Sequence, residues 1–143
     1  MRSIPAQKIQ DCIRDMIIES NTLLAPDVVK AFEDALLEEE LSSAREVLSQ
    51  LLENAKLARD TGLALCQDTG TAVFFVEMGE DCCIEGGSLR EVINKGMVEG
   101  YEQGFLRKSM CHPLTRKNTG DNRPAVIHFD LVPGDEQIGR AHV

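Results

Sequence analysis

A cysteine, an amide and a carboxylate stand side by side at Cys66-Gln67-Asp68, and Thr69 and Gly70 follow them. A thiolate next to a carboxylate is electrostatically unfavourable unless a cation lies between them, so the pattern favours a metal site over a nucleophilic cysteine. Taken one at a time, the three residues have simpler interpretations. Cys66 suits a small buried apolar residue, Asp68 a turn or cap residue, and Gln67 an amide that bonds the backbone.

A second candidate group lies between Gly104 and Asn122, a polar and irregular stretch that predicts a loop. It holds four cations in an otherwise acidic chain: Arg107, Lys108, Arg116 and Lys117. A run of charges is usually a solvated surface. The alternative is a carboxylate-binding loop, since the planar guanidinium of arginine matches both carboxylate oxygens.

Other reactive residues fit a site less well. None of His112, His128 and His142 is placed by its spacing as a partner for Cys66, so a Cys-His nucleophile has little support. Cys82-Cys83 and Cys111-His112 are adjacent pairs, which rarely satisfy tetrahedral metal geometry, and we interpret them as packing or loop residues. The chain has no CxxC pair, and a metal site built only from its own residues is not expected.

Three helices are predicted before the Cys66 segment. Pro26 suits the first residue of the second helix, Ser43 and Glu46 form a capping box for the third, and Gly62 suits the end of the third. Apolar residues at helical spacing give the first and third helices one apolar face each and predict burial in the second: Ile9, Cys12, Ile13, Met16 and Ile17 in the first, Val29, Phe32 and Leu36 in the second, and Ala44, Val47, Leu48, Leu51, Leu52, Ala55 and Ala58 in the third.

The pattern changes after Cys66. Residues 71–78 are apolar on both faces and predict a buried strand, residues 79–87 predict a loop, and residues 125–132 alternate as a half-buried strand. Pro133-Gly134-Asp135 predicts a turn. Two visible strands make a poor sheet unless others join them, so these residues suggest part of something larger.

A fourth helix is predicted between these strands. Ser88 and Glu91 form its capping box, and Gly96 and Gly100 lie on one side, where another backbone could come close. The predicted fold class is therefore α+β. A helical N-terminal half precedes a small α/β part with few strands, and together they make an incomplete piece of a larger catalytic domain.

The composition suits one globular domain of 143 residues, with 43% hydrophobic and 27% charged residues. The formal net charge of −9 argues against nucleic acid or an anionic membrane as a partner. No apolar run approaches the ~18 residues of a membrane span. The first residues do not resemble a signal peptide, and an odd number of cysteines, five, favours reduced thiols. A cytoplasmic location is expected.

Four blocks carry a family resemblance: Ala64-Leu-Cys-Gln-Asp-Thr-Gly70, Leu106-Arg-Lys-Ser109, Pro113-Leu114 and Lys117-Asn-Thr-Gly-Asp-Asn-Arg-Pro-Ala125. In their order and approximate spacing they resemble the iron–sulfur hydro-lyases of the class I fumarate hydratase and L-tartrate dehydratase family. The resemblance covers roughly residues 5–137. It is to the N-terminal part of the fumarate hydratase α subunit, or to the same region of a fused chain.

The resemblance implies a [4Fe–4S] cluster held by three cysteines, with one iron open to act as a Lewis acid on the substrate. Cys66 is implied as the first cluster ligand. Gln67 and Asp68 are implied to contact substrate, with Asp68 a candidate for proton transfer, and Arg107 to bind a substrate carboxylate. The implied reaction is the reversible hydration of fumarate to L-malate, a step of the tricarboxylic acid cycle. An L-tartrate dehydratase α subunit is the near alternative, although the block at 119–122 is more similar to the fumarate hydratases. A non-catalytic assembly module is the alternative from another class.

Two departures from the family qualify this expectation. The glycine-rich Gly-Gly-Gly-Ser block is absent, and no cysteine here matches the other two ligands, which are expected outside this chain. Residues 1–143 are predicted to be one domain, the N-terminal part of the catalytic α region, with an aberrant tail at 138–143 and no activity alone. The expected partners are a small dicarboxylate substrate, a β subunit or C-terminal domain, and further copies in a homo-oligomer, without nucleic acid or membrane.

Overall fold

The computed structural model describes the backbone of residues 2–135 and 137–142, and the side chains of residues 2–135. Within this part of the chain there are four helices and five strands. In chain order they are β1 (Arg2–Pro5), α1 (Ala6–Thr22), α2 (Pro26–Glu38), α3 (Ser42–Thr61), β2 (Val73–Gly79), β3 (Cys82–Glu85), α4 (Leu89–Gln103), β4 (Val126–Val132) and β5 (Gln137–His142). The predicted α+β class with a helical first half is confirmed.

The core forms where α1 crosses α4 over one face of β2. Its buried apolar side chains are Ile9, Ile13 and Ile17 of α1, Val92, Ile93, Met97 and Tyr101 of α4, and Phe74 and Val76 of β2. The predicted close approach at Gly96 and Gly100 is confirmed. A Cβ at Gly96 would lie 2.5 Å from the Gln10 carbonyl oxygen, and one at Gly100 would lie 2.7 Å from the Ile17 Cβ. The two helices therefore pack at a distance that only glycine allows.

The strands form two small sheets. β1 and β3 pair in parallel, and the second sheet has the order β4-β2-β5, with β4 parallel and β5 antiparallel to β2. The sequence predicted only two strands and a loop over residues 79–87. That prediction was wrong because β1 and β3 span four residues each and are defined by pairing with each other across the chain.

The β2 strand is buried on one face only. Phe74 and Val76 face the core, whereas Phe75 and Glu77 are exposed, so the prediction of a strand buried on both faces was wrong. The β4 strand is even more open. Ile127 and Val132 are half-buried and its other residues are exposed, because β4 lies at the edge of the sheet. On the outer face the Phe75 ring stacks on His128 with centroids 4.8 Å apart.

The α2–α3 pair packs more loosely than predicted. The described α2 residues include no buried side chain, and Val29, Phe32 and Leu36 are only half-buried. On α3 only Ala55 and Ala58 are buried, since these two helices contact each other more than they contact the core. Each helix in the described part of the chain is too short or too polar to cross a membrane.

The helix ends were predicted with mixed success. Pro26 begins α2, Gly62 ends α3 in the left-handed conformation (φ 69°), and the Ser88 hydroxyl accepts a hydrogen bond from the Glu91 N–H at the start of α4. The capping box at Ser43 was wrong, because α3 begins at Ser42, two residues before the first helical residue that this box predicts. Its cap position is Leu41, which has no side-chain hydrogen bond.

The topology brings two long loops to one end of the β4-β2-β5 sheet. β2 and β4 are parallel and start in register, with Val73 opposite Val126, and the Val126 N–H donates to the Ala72 carbonyl at 3.0 Å. The segment at 63–72 enters β2, and the segment at 104–125 enters β4. Both segments therefore meet at the amino ends of these two strands, which is where the chemically interesting residues lie.

Candidate functional site

The loop that carries Cys66 is fixed on both sides. On its helical side, the Leu65 N–H donates to the Asn21 carbonyl at the end of α1, and the Asn54 amide of α3 donates to the Leu65 carbonyl, both at 2.8 Å. On its strand side, the Asn122 amide donates to the carbonyl of Gly70 at 3.1 Å. The exposed residues between these anchors are thus presented on a loop whose ends are held by hydrogen bonds.

Cys66, Gln67 and Asp68 are all exposed in this loop. The Cys66 Sγ lies 3.6 Å from the Asp68 carbonyl oxygen, a weak contact that folds the thiol back over its own loop. Within the described part of the chain, the side chains of Gln67 and Asp68 make no hydrogen bond or ion pair. All three side chains are therefore available to a ligand. The interpretation of Cys66 as a small buried residue is wrong.

Arg107 is brought to this loop by a hydrogen bond from Thr69. The Thr69 hydroxyl donates to the Arg107 carbonyl, which joins the two loops one residue beyond Asp68. The Arg107 side chain is exposed and, among the described residues, makes no ion pair. Its neighbour Lys108 differs, because its ammonium lies 3.3 Å from Glu102. Of these two adjacent cations, Arg107 is the one left free to bind an anion.

The rest of the cationic loop folds back on itself. Cys111 and Asn118 form an isolated antiparallel bridge, and the Thr119 N–H donates to the Met110 carbonyl at 2.9 Å. The Asn118 amide donates to the Lys108 carbonyl at 2.7 Å. These bonds hold the backbone around Lys108 and Met110 in one conformation, while Arg116 and Lys117 remain exposed at the tip.

Three buried polar residues lie beneath the two loops, and the sequence analysis did not identify any of them as functional. Thr69, Tyr101 and Asn122 are at most 1% exposed. The Tyr101 hydroxyl donates to the Thr69 carbonyl at 2.8 Å, and the Asn122 amide donates to the Gly70 carbonyl at 3.1 Å. Burial raises the pKa of Tyr101, and hydrogen bonds with Asn122 and Thr69 partly oppose that shift. A lone tyrosine on the buried face of a helix was the available signal, since a buried phenol needs a partner.

Ser109, two residues after Arg107, carries a buried hydroxyl. In the described part of the chain, the Ser109 Oγ is buried and makes no hydrogen bond. An unpaired hydroxyl of this kind loses its hydration without compensation. The residue belongs to the Arg107 segment, but its side chain is not tied to the loop that carries Asp68.

The remaining cysteines and histidines do not assemble a metal site within the described residues. Cys12, Cys83 and Cys111 are exposed at separate places, and Cys82 is buried in β3. The His112 Nδ1 accepts the N–H groups of Leu114 and Thr115, as expected of a turn residue, and His142 lies outside the described side chains. No group of three His, Cys, Asp or Glu residues in the described chain could hold a metal ion.

The [4Fe–4S] cluster implied by the sequence would need three thiolate ligands at this site. The described residues offer one exposed thiol at the loop, Cys66, and do not by themselves fit such a group. Two clefts elsewhere, of about 800 Å³ between the end of α1 and α2 and about 270 Å³ beside β1, are not lined by Cys66, Asp68 or Arg107. The candidate site is an open surface at the amino ends of β2 and β4.

Most of the chain is similar in sequence to known proteins. The family described as fumarate hydratase (fumerase) matches residues 10–139. A protein of Methanocaldococcus jannaschii, named provisionally as L(+)-tartrate dehydratase subunit alpha, is 34% identical over 134 residues, which are 93% of this chain and 47% of that protein.

Two fumarate hydratases are also similar. Fumarate hydratase 2 of Leishmania major is 39% identical over 95 residues, which are 64% of this chain and 16% of that protein. The aerobic class I fumarate hydratase of Escherichia coli strain K12 is 32% identical over 127 residues, which are 86% of this chain and 23% of that protein. The chain thus spans about half the length of the M. jannaschii relative and less than a quarter of the other two.

Proposed function

The chain belongs to the fumarate hydratase family, and on this premise we propose that it is part of a hydro-lyase that reversibly hydrates fumarate to L-malate. The main support for the proposal is a contact between the loops at 63–72 and 104–125. The Thr69 hydroxyl joins the loop of Cys66, Gln67 and Asp68 to the carbonyl of Arg107. Arg107 and Asp68, which make no ion pair among the described residues, therefore lie on neighbouring loops at the amino ends of β2 and β4.

Arg107 is proposed to bind one carboxylate of the substrate. Fumarate and malate are dianions, and the guanidinium can donate two parallel hydrogen bonds to a carboxylate. The absence of an ion pair at Arg107 among the described residues supports this role, because no internal carboxylate competes with the substrate.

Asp68 is proposed as the group that transfers a proton, and Gln67 as a hydrogen-bond donor to the substrate. In the dehydration direction a carboxylate can accept the proton from the carbon that does not carry the hydroxyl, while the hydroxyl leaves the neighbouring carbon and takes up a proton from solvent to become water. In the hydration direction the protonated carboxyl returns a proton to one carbon of the double bond, a water oxygen adds to the other carbon, and the remaining proton of that water is released to solvent. The exposure of both side chains supports contact with a ligand.

Cys66 is proposed as one ligand of a [4Fe–4S] cluster. The described residues supply only this thiol at the loop, and two further cysteines are proposed to come from sequence outside this chain. The greater length of the relatives is compatible with such additional sequence. A β subunit or C-terminal domain, a homo-oligomeric assembly and a cytoplasmic location are proposed as well. The provisional name of the M. jannaschii relative, as an alpha subunit, supports the first of these.

L-tartrate is the second candidate substrate, since a relative that aligns with 93% of the chain is named as a tartrate dehydratase subunit. The test compares kcat/KM of the complete protein, with its partner subunit if it has one, for fumarate and for L-tartrate. We expect fumarate to be preferred, and a preference for L-tartrate would reassign the substrate.

A non-catalytic assembly module is distinguished by the same preparation. Anaerobic supply of iron and sulfide should turn the complete protein brown if it is a cluster enzyme. A colourless protein that neither hydrates fumarate nor dehydrates L-tartrate would contradict the proposed function.

A further inference from the structure

A buried network of hydrogen bonds connects the two loops of the candidate site from below. Asn122 is 0% exposed, and Tyr101 and Thr69 are each 1% exposed. None of these three side chains can reach a ligand in solvent. Their contacts are instead with the backbones of the loops that carry Asp68 and Arg107.

The Asn122 side chain joins both loops with the two ends of its amide. Its Nδ2 donates to the Gly70 carbonyl at 3.1 Å, two residues after Asp68. Its Oδ1 accepts the Met110 N–H at 2.7 Å, three residues after Arg107. One amide group therefore sets the separation of the two backbones close to each candidate substrate-binding residue.

Tyr101 and the backbone conformation of Asn122 hold this arrangement in place. The Tyr101 hydroxyl, on the buried face of α4, donates to the Thr69 carbonyl at 2.8 Å and lies 3.4 Å from the Gly70 carbonyl. Asn122 itself has a φ of 62°, a left-handed conformation that asparagine tolerates better than most residues. The Asn122 N–H donates to the Thr119 hydroxyl at 3.1 Å.

The exposed side chains depend on these buried contacts for their placement. Among the described residues, Asp68 and Arg107 have no side-chain hydrogen bond that would fix their positions. Among the described residues, hydrogen bonds at Thr69, Gly70 and Met110 connect the two loop backbones and so limit how far apart the two side chains can lie. Errors of about 1 Å in such placement are enough to slow an enzyme about a hundredfold.

We propose that Asn122 and Tyr101 are positioning residues that fix Asp68 and Arg107 relative to each other for a single dicarboxylate substrate. This inference rests on the function proposed above. It predicts that the two buried residues act through Arg107, so their effects on catalysis should depend on whether Arg107 is present. A role in stability alone would not show that dependence.

The experiment is a double-mutant cycle in the complete protein, with kcat/KM for fumarate measured per active site. Asn122→Gly keeps the left-handed backbone available and removes both amide contacts. Tyr101→Phe keeps the ring and removes the hydroxyl. Each is made in the wild-type background and in the Arg107→Ala background, and the unfolding temperature is recorded for every variant.

In the wild-type background we expect Asn122→Gly to lower kcat/KM about tenfold or more and Tyr101→Phe about three- to tenfold. In the Arg107→Ala background each change should cost less than about threefold. If Asn122→Gly does not fold, Tyr101→Phe decides the question.

Equal factors in both backgrounds would overturn the inference, because the two residues would then act only on stability or on other groups. If the wild-type protein hydrates fumarate in that experiment, the proposed function still holds although this inference fails. A wild-type protein that acts on neither fumarate nor L-tartrate would overturn the proposed function and this inference together.

Discussion

Replacement of Arg107 should reduce catalysis by an amount that distinguishes a binding residue from a surface charge. Its side chain is exposed, and among the described residues it has no ion pair, so the substrate would be its first anionic partner. If that contact stays in solvent, it contributes about 0.2–1 kcal/mol, which is less than about fivefold in kcat/KM. If the substrate carboxylate is desolvated against Arg107, a charge-assisted hydrogen bond contributes about 1.5–3 kcal/mol. We expect the second case, a loss of about ten- to hundredfold.

The assay compares Arg107→Ala and Arg107→Lys with wild type in the complete protein at equal cluster content. Lysine should restore little, since it keeps the charge but not the paired donors of the guanidinium. Lys117→Ala is the matched control, because Lys117 is exposed in the same loop. Lys108 is less suitable, since it pairs with Glu102 at 3.3 Å. A loss below about threefold for Arg107→Ala would refute the assignment of this side chain to the substrate.

Three further predictions concern stability. Gly96→Ala should lower the free energy of unfolding by about 1–2 kcal/mol, since overpacking against α1 outweighs the helix propensity gained. Lys95→Ala, at an exposed position, should change the free energy of unfolding by less than about 0.5 kcal/mol. Equal melting temperatures for Gly96→Ala and wild type would contradict the close packing. Ser109→Ala should leave stability unchanged or raise it, as its hydroxyl has no partner in the described chain, and a loss above about 1 kcal/mol would reveal a missed contact. Hydrogen bonds from Arg123 lower the pKa of Asp121, so this contribution to stability is present above about pH 4 and is lost as the pH falls through the lowered pKa. In urea titrations at several pH values, the free energy of unfolding of Arg123→Gln should therefore fall less steeply below about pH 4 than that of wild type. The same pH dependence in both proteins would contradict a stabilising interaction between Asp121 and Arg123.

The sequence predicted those features that depend on local spacing. The apolar period of α1, the cap at Ser88 and the glycines at 96 and 100 all follow from chemistry within a few residues. The segment at Cys66-Gln67-Asp68 was also visible, because three reactive side chains were adjacent. These predictions needed no knowledge of which elements lie next to each other.

The features that were missed depend on contacts between distant parts of the chain. β1 and β3 are too short to show a pattern, and they exist because Arg2 pairs with Cys82 and Pro5 pairs with Glu85. The roles of Tyr101 and Asn122 likewise appear only once α4 and the second loop are placed beneath the first. The weak burial of α2 could not be seen either, since periodicity predicts an apolar face but not what covers it.

The loop of Cys66 is proposed to carry the reaction of a hydro-lyase. The most direct test is the initial rate of fumarate hydration by the complete protein after anaerobic supply of iron and sulfide. Wild type, Cys66→Ser and Cys12→Ser are compared, since both thiols are exposed but Cys12 lies on α1, outside the two loops of the proposed site. We predict hydration by wild type and by Cys12→Ser, and a rate at background for Cys66→Ser. A Cys66→Ser variant as fast as wild type would contradict the claim.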